Sequence, residues 1–119
     1  MTSGRKKKMT MMLVEVKSCS LVIDGVALFP DVPTLRGLRH VRALAKARNR
    51  GFEACVVRVM QRTDARYLMP NVRVQEELEL ALKDGVEKGL RLYSYTTLLD
   101  PPEIRIVERI PVVVAGQQV

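Results

Sequence analysis

Residues 52–61, FEACVVRVMQ, constrain the fold more than any other stretch of the sequence. The run is apolar and rich in β-branched residues, with Arg58 as its one charged interruption, which predicts a central strand covered on both faces. A segment with helical periodicity lies on either side of it. Because each apolar helix stripe must bury against a sheet, the pattern predicts an α/β fold with a mixed β-sheet flanked by helices.

The flanking segments complete this prediction. Residues 11–18 and the alternating run LRLYSYTTLL have strand patterns, and EIRIVERIPVVV after Pro101-Pro102 is typical of an edge strand. LVIDGVALF is predicted to be a hairpin, because Asp24-Gly25 accepts the dihedral angles of a tight turn. The predicted order is therefore β, β, α, β, α, β, β.

Two helices are predicted from apolar stripes and end signals. The first lies within PDVPTLRGLRHVRALAKARNRG, where Asp31 or Thr34 is the candidate N-cap and Gly51 the stop. The second lies within VQEELELALKDGVEKG and stops at Gly89. The apolar stripe of the first helix is formed by Leu35, Leu38, Val41, Leu44 and Ala45.

Length and composition favour one soluble domain. The chain has 119 residues, and we predict a basic tail over residues 1–10, an α/β domain over residues 11–115 and a loose C-terminus over residues 116–119. No apolar stretch approaches the roughly 18 residues that cross a bilayer, so we predict a cytoplasmic protein with no membrane partner. Cys19 and Cys55 are predicted to be free thiols.

Positive charge is concentrated on the first predicted helix. The chain has 20 Lys and Arg against 13 Asp and Glu, a formal charge of +7, which favours polyanionic partners. Because this helix carries no acid, and few aromatic residues are present to stack on bases, duplex DNA backbone is the favoured ligand. The alternative is a solvated helix face. The candidate binding residues are Arg36, Arg39, His40, Arg42 and Lys46.

The strand LVEVKS places Glu15 and Lys17 on one face, about 7 Å apart, because side chains alternate along a strand. A carboxylate that holds a divalent cation, beside an ammonium that orients water, suits phosphodiester hydrolysis. The alternative is an edge strand with solvated charges, because this short pattern is frequent.

Three segments together resemble the C-terminal half of the sugar fermentation stimulation protein A family: VEVKSCSLVIDGVALFPDVPTLRGLRHVRAL, VVRVMQRTDARYLMPN and GLRLYSY. The resemblance covers residues 13–114. It implies a restriction-endonuclease-like PD-(D/E)XK core, which in the family follows an oligonucleotide-binding-type barrel, in a protein described as DNA-binding. The barrel is absent here, so the resemblance implies a fold truncated at the N-terminus.

The resemblance also suggests roles for individual residues. Glu15 and Lys17 match the acid-x-lysine arm of the nuclease signature, and Arg36, Gly37, His40 and Gln61 match other polar motif positions. Gln61 becomes a candidate to hold attacking water or a phosphate oxygen, against a simple loop hydrogen bond. His40 follows Arg36 by one helical turn and is a candidate for phosphate contact, against an ordinary surface histidine.

One departure from the family concerns the metal. Family members carry an aspartate on the strand before the acid-x-lysine strand, whereas this chain has GRKKKMTMM there and no acid before Glu15. Glu15 is therefore the only predicted metal ligand, with Asp24, Asp31 or an acid from a second chain as substitutes for the missing carboxylate.

These observations favour a nucleic-acid-binding module on an incomplete nuclease scaffold, with no cofactor assigned. The first alternative is a nuclease that uses Mg or Mn, in which Glu15, Lys17 and Gln61 are catalytic. The second alternative is a subunit of a homo-oligomer that pairs at a sheet edge.

Overall fold

The computed structural model describes residues 12–119, except for the side chains of Met12 and Glu15. The predicted basic tail over residues 1–10 lies outside the described residues. In chain order the elements are β1 (Met12–Ser18), β2 (Val22–Ile23), β3 (Val26–Phe29), α1 (Leu35–Asn49), β4 (Glu53–Met60), β5 (Tyr67–Pro70), α2 (Glu76–Glu87), β6 (Arg91–Asp100), β7 (Glu103–Ile110), β8 (Val113–Val114) and β9 (Gln117–Gln118).

The main sheet has four strands in the order β1-β4-β6-β7. The first three are parallel, and β7 returns antiparallel to β6. Parallel neighbours need a crossover connection, and the segments that contain α1 and α2 provide the two crossovers. The mixed sheet and the central position of β4 are therefore confirmed.

A second sheet, in the order β2-β3-β5, holds the predicted hairpin. Asp24 and Gly25 both adopt positive φ, at 50° and 80°, as the tight turn requires. Strand β5 was not predicted, because it has only four residues and ends in Pro70, a residue that weakens a strand assignment.

The core lies between one face of the main sheet and the two helices. Leu38, Val41 and Leu44 of α1 share a buried cluster with Val56 and Met60 of β4. On the opposite face Val57 and Val59 are only partly buried. Cys55 is buried on this second face, so the prediction that β4 is covered on both faces is confirmed only in part, because both helices pack on the opposite side.

Two predictions at the ends of elements need correction. Leu35 is the first residue of α1 and is 70% exposed, because it borders an open cleft between the starts of the two helices and does not enter the core. The predicted loose segment 116–119 instead contains β9, which pairs with β8. The amide of Val119 also donates to the carbonyl of Val112 at 2.8 Å, so backbone hydrogen bonds tie this segment to the domain.

Two outer features bear on the predicted partners. Within residues 12–119, no strand is hydrogen-bonded to the outer edge of β1, so pairing of a twin chain at this edge stays a prediction. In the same range, no helix has the length and apolar character needed to cross a membrane.

Candidate functional site

Five cations lie on the solvent side of α1. The helix buries its opposite stripe against the core, so residues at the intervening positions are driven outward. No Asp or Glu occurs anywhere in α1. Four of these exposed basic residues lie within α1, Arg36, Arg39, Arg42 and Lys46, and the fifth, Arg50, is its C-cap; we call the five together the basic face.

The basic residues at the sides of this face differ in their contacts and burial. Arg42 comes within 3.9 Å of Glu77 on α2, an exposed pair that contributes at most about 1 kcal/mol. Arg48 is partly buried and donates from Nη1 to the carbonyl of Phe52 at 3.3 Å, so it holds the turn after α1. His40 is also partly buried. The candidates Arg36, Arg39, Arg42 and Lys46 therefore share one surface, with His40 closer to the body of the domain.

A pocket of about 190 Å³ opens where β1 and β3 end and α1 begins. Its wall includes Lys17 of β1, Arg58 of β4 and Asp31 of the loop before α1. Carboxyl ends of parallel strands are common places for ligands in α/β proteins. The pocket brings together side chains from three distant parts of the chain, and we call it the β1 pocket.

Strand register makes Lys17 and Arg58 neighbours. They are Cα partners across the parallel β1-β4 pair, so both side chains project from the same face of the sheet. Arg58 shares that face with the buried residues Val56 and Met60 and is itself only 8% exposed. Its guanidinium lies 4.3 Å from the centroid of the Phe29 ring, a distance typical of a cation-π contact.

Cys19 lines the β1 pocket. Its thiol is buried and donates to the carbonyl of Leu28 at 3.2 Å. Burial raises the pKa of this thiol, while the hydrogen bond at Leu21 and the nearby charge of Arg58 lower it and Asp31 raises it further. Cys19 therefore stays protonated near neutral pH and is no nucleophile there. The prediction of free thiols is confirmed for Cys19 and Cys55.

Thr34 and Gly37 together fix the start of α1. The Thr34 hydroxyl accepts from the amide of Gly37 at 2.9 Å, which confirms Thr34 as the N-cap. A Cβ on Gly37 would meet the Thr34 methyl group at 2.7 Å, so only glycine leaves room for this cap. Gln75 fixes Thr34 from the other side, through hydrogen bonds to its amide and its carbonyl.

The other predicted site residues are spread over the domain. Glu15 is the Cα partner of Val56, two residues before Lys17, and its side chain is outside the described part of the chain. Gln61 follows the end of β4, is exposed, and is not among the described residues that line the β1 pocket. Of the two substitute acids, Asp31 lines the pocket, whereas Asp24 lies at the hairpin turn, where its carbonyl accepts from Arg66.

The described side chains do not form a divalent-metal site. Among them no group of three or more His, Cys, Asp or Glu lies close enough to hold a metal. Among the side chains that the structure describes, the charged groups that line the β1 pocket are the two cations Lys17 and Arg58 and the carboxylate of Asp31. Mg and Ca require several oxygen ligands, and the described side chains alone do not supply such a set.

Arg58 is the site residue that sequence analysis did not identify. The sequence pattern shows it only as the charged interruption of an apolar strand. That interruption was the available signal, because a charge within a central strand needs a specific environment to be buried. The environment itself depends on the β1-β4 register and on Phe29, which strand periodicity does not reveal.

The fold and the site define an α/β domain with a cationic pocket at the carboxyl ends of its strands and a basic helix beside it. The model of the sugar fermentation stimulation protein RE domain matches residues 3–103. The chain therefore belongs to the sugar fermentation stimulation protein family, as the resemblance suggested.

Individual relatives agree with this assignment. A sugar fermentation stimulation protein homolog from Moorella thermoacetica is 40% identical over 94 residues, which cover 79% of this chain and 40% of the relative. The homolog from Caldivirga maquilingensis is 45% identical over 87 residues, 73% of this chain and 38% of the relative. The chain thus spans about two-fifths of the length of these curated relatives.

A solved relative has the same fold. The structure of Pyrococcus furiosus SfsA in complex with Ca2+ matches with a TM-score of 0.81 and 25% sequence identity. The match covers 87% of this chain and 45% of that chain. The mixed α/β architecture is therefore shared with the family.

Proposed function

We propose that this chain is a nucleic-acid-binding domain that contacts the phosphate backbone of duplex DNA through the basic face of α1. The observation that carries the proposal is the exposure of four cations along a helix without a single acid, with a fifth at its C-cap. Cations grouped in this way repel one another, whereas a line of phosphates relieves the repulsion and releases counterions.

The aromatic residues favour duplex over single-stranded nucleic acid. The chain has two Phe and three Tyr, and all five are buried or partly buried. Tyr93 is in addition covered by the guanidinium of Arg109, 4.7 Å from its ring centroid. Stacking of unpaired bases needs accessible rings, so contact with the backbone is the mode that these side chains support.

Salt dependence of duplex binding tests the proposal. We expect log Kd for a short duplex, measured by fluorescence anisotropy, to rise linearly with log salt concentration. The double variant Arg39→Ala/Lys46→Ala removes two phosphate contacts and should make the slope shallower by about two. A matched control, Arg91→Ala/Lys83→Ala, removes the same charges from exposed positions outside α1 and should keep the slope.

Two outcomes would contradict the proposal. One is a flat salt dependence of the unmodified chain. The other is an equal loss of affinity in both double variants, because that result would mean that net charge and not the basic face determines binding.

A metal-dependent nuclease is the second candidate, and the position of Asp31 favours it. Asp31 lines the same pocket as Lys17, and Glu15 lies two residues earlier on the same strand. Asp31 is thus a possible substitute for the missing aspartate. The Ca2+ complex of Pyrococcus furiosus SfsA also supports this candidate.

Calorimetry with manganese separates the two candidates. A working nuclease centre predicts a saturable heat of binding that disappears in both Glu15→Gln and Asp31→Asn, together with manganese-dependent cleavage of DNA. The variant Asp24→Asn is the matched control, because it removes a carboxylate at the hairpin turn, away from the pocket. Absence of binding in the unmodified chain would exclude the nuclease candidate.

A further inference from the structure

We propose that two copies of this chain form a dimer in which the β6-β7 arm of each copy packs on the open face of the other. The open face is the side of the main sheet that faces away from α1 and α2. The β6-β7 arm is the hairpin formed by residues 97–106. The family assignment gives neither surface a role, and the dimer does not depend on nucleic-acid binding.

Strand register defines the open face. Val16 is the Cα partner of Val57, and Val57 is the Cα partner of Tyr93, so their side chains form one row across β1, β4 and β6. The neighbouring row begins with Val14 and Cys55. Val14 and Val16 are 52% and 63% exposed, whereas an apolar sheet face is normally buried against a second layer. The described part of the chain therefore leaves apolar side chains of this face in water.

The β6-β7 arm extends beyond the other strands of the sheet. The pairing of β4 with β6 ends at Met60 and Thr96, so within the described residues the last four residues of β6 pair with β7 alone. All residues from Leu98 to Arg109 are exposed. A two-stranded hairpin without a third strand or a covering layer is only marginally stable in water. The arm therefore gains stability from a surface that covers it.

The arm carries apolar side chains on the same side of the sheet as the open face. Leu99 shares the side of Tyr93, because residues separated by an even number of positions point the same way along a strand. Ile104 is the Cα partner of Leu99, and Ile106 lies two residues further along β7. Leu99, Ile104 and Ile106 are each more than half exposed. Each chain thus presents an apolar projection together with an apolar face.

The net charge of the chain favours this side of the molecule for contact between two copies. The formal charge is +7, so two copies repel each other wherever their basic faces meet. The basic face lies on the solvent side of α1, which packs on the other side of the main sheet. A dimer through the open faces therefore keeps the two basic faces apart and leaves both exposed.

The charges of the arm and of the open face are complementary. Among the described residues the arm has two acids and one base, whereas the open face has two bases and one acid, so the two surfaces attract each other. These residues are Asp100, Glu103 and Arg105 on the arm and Arg91, Arg109 and Glu53 on the open face.

Symmetry and area are sufficient for a dimer. A two-fold axis that places one arm on the open face of the other copy also places the second arm on the first open face, so the contact is made twice. The ten residues of β6 span about 33 Å and four strands span about 19 Å, which gives each copy a surface of about 600 Å². Burial of this surface in both copies removes about 1,200 Å² from water, the lower end of the range for stable interfaces. We therefore expect a Kd in the micromolar range.

Sedimentation velocity over about a hundredfold range of protein concentration tests the dimer. We expect the sedimentation coefficient of the unmodified chain to rise from the monomer value to the dimer value. Val16→Lys and Ile106→Glu each introduce a charge at an exposed position, so the domain should fold normally, as circular dichroism can verify. Each variant should weaken dimerisation at least about tenfold, because the charge is buried twice in the contact. The control Leu80→Lys changes an exposed apolar residue of α2 and should dimerise as the unmodified chain does.

An equimolar mixture of the two variants distinguishes exchange of arms from pairing at a sheet edge. In the proposed dimer, the lysine introduced on the open face of one chain lies against the glutamate introduced on the arm of the other. The second contact of the same mixed dimer keeps both original residues. The mixture should therefore dimerise, although neither variant does so alone.

The inference is overturned if the unmodified chain sediments as a monomer at every concentration, or if the mixture remains monomeric. Undiminished dimerisation of either variant alone would also overturn it. For Val16→Lys, that result would place the contact at the edge of β7, and for Ile106→Glu it would place the contact at the edge of β1.

Discussion

The two helices of this domain pack against each other, yet their charged residues are placed differently with respect to the helix dipole. The first turn of α2 carries Glu76, Glu77 and Glu79, three acids at the positive end of the helix dipole. The first turn of α1 carries no acid, and Arg36 is its second residue. Only the last turn of α1, with Lys46 and Arg48, places cations where the dipole favours them.

This difference separates charges that serve folding from charges that need another explanation. The acids of α2 stabilise the helix that carries them. A cation near the start of α1 is unfavourable by about 0.3–1 kcal/mol, on the scale that the dipole gives to an acid there. Folding therefore does not account for Arg36, whereas an approaching phosphate, drawn to both the cation and the helix end, does.

Charge reversal at Arg36 is expected to have the largest effect. It should weaken duplex binding but stabilise the folded domain. Arg36→Glu should weaken duplex binding at least about tenfold, because a favourable charge becomes a repulsive one. The same change should raise the free energy of unfolding by about 0.5 kcal/mol, because an acid then lies at the positive helix end. Anisotropy and urea denaturation measure the two quantities.

The mirror variant on α2 is the control. Glu76→Arg should lower the free energy of unfolding by a similar amount without weakening duplex binding. If Arg36→Glu instead destabilises the domain and leaves the affinity for the duplex unchanged, the cation at the start of α1 has no role in binding.

A second prediction concerns how the two helices begin. Thr34 caps α1 with its own side chain, whereas the N-cap of α2, Gln75, makes no such bond and reaches across to Thr34. Thr34→Ala should therefore cost about 1 kcal/mol of unfolding free energy, measured by urea denaturation. Thr34→Ser keeps the hydroxyl and should recover most of the loss. Equal stability of the Ala and Ser variants would contradict the capping role.

Local patterns predicted most of the fold. The apolar stripes, the cap at Thr34 and the Asp24-Gly25 turn each involve neighbours in sequence, so spacing alone predicted the helices and the hairpin. Strand β5 was missed because four residues with a terminal proline carry almost no periodicity. The incomplete cover of the second face of β4 was not predicted, because an apolar run does not tell how many layers cover it.

The site was predicted less completely, for a related reason. Lys17 and the cations of the basic face were identified from local motifs and charge. The β1 pocket, in contrast, combines Lys17, Asp31 and Arg58, which only the strand register and the loop before α1 bring together. Sequence analysis placed Asp31 among the substitute acids but could not distinguish it from Asp24, because their distances from Lys17 depend on tertiary structure.

The smallest expected effect concerns Cys19, which borders the pocket beside the start of α1. Burial raises its pKa above the ordinary value of 9.0. Above that pH, the thiol of the unfolded chain loses its proton before the thiol of the folded chain does. The free energy of unfolding therefore falls as pH rises, until the pKa of the thiol in the folded chain is passed. Lysines and tyrosines titrate in the same range, and the comparison with Cys19→Ala removes their contribution. Urea denaturation between about pH 8 and pH 11 should therefore show a smaller fall in the free energy of unfolding for Cys19→Ala than for the unmodified chain. An equal fall in both chains would mean that the fold does not hold the thiol protonated.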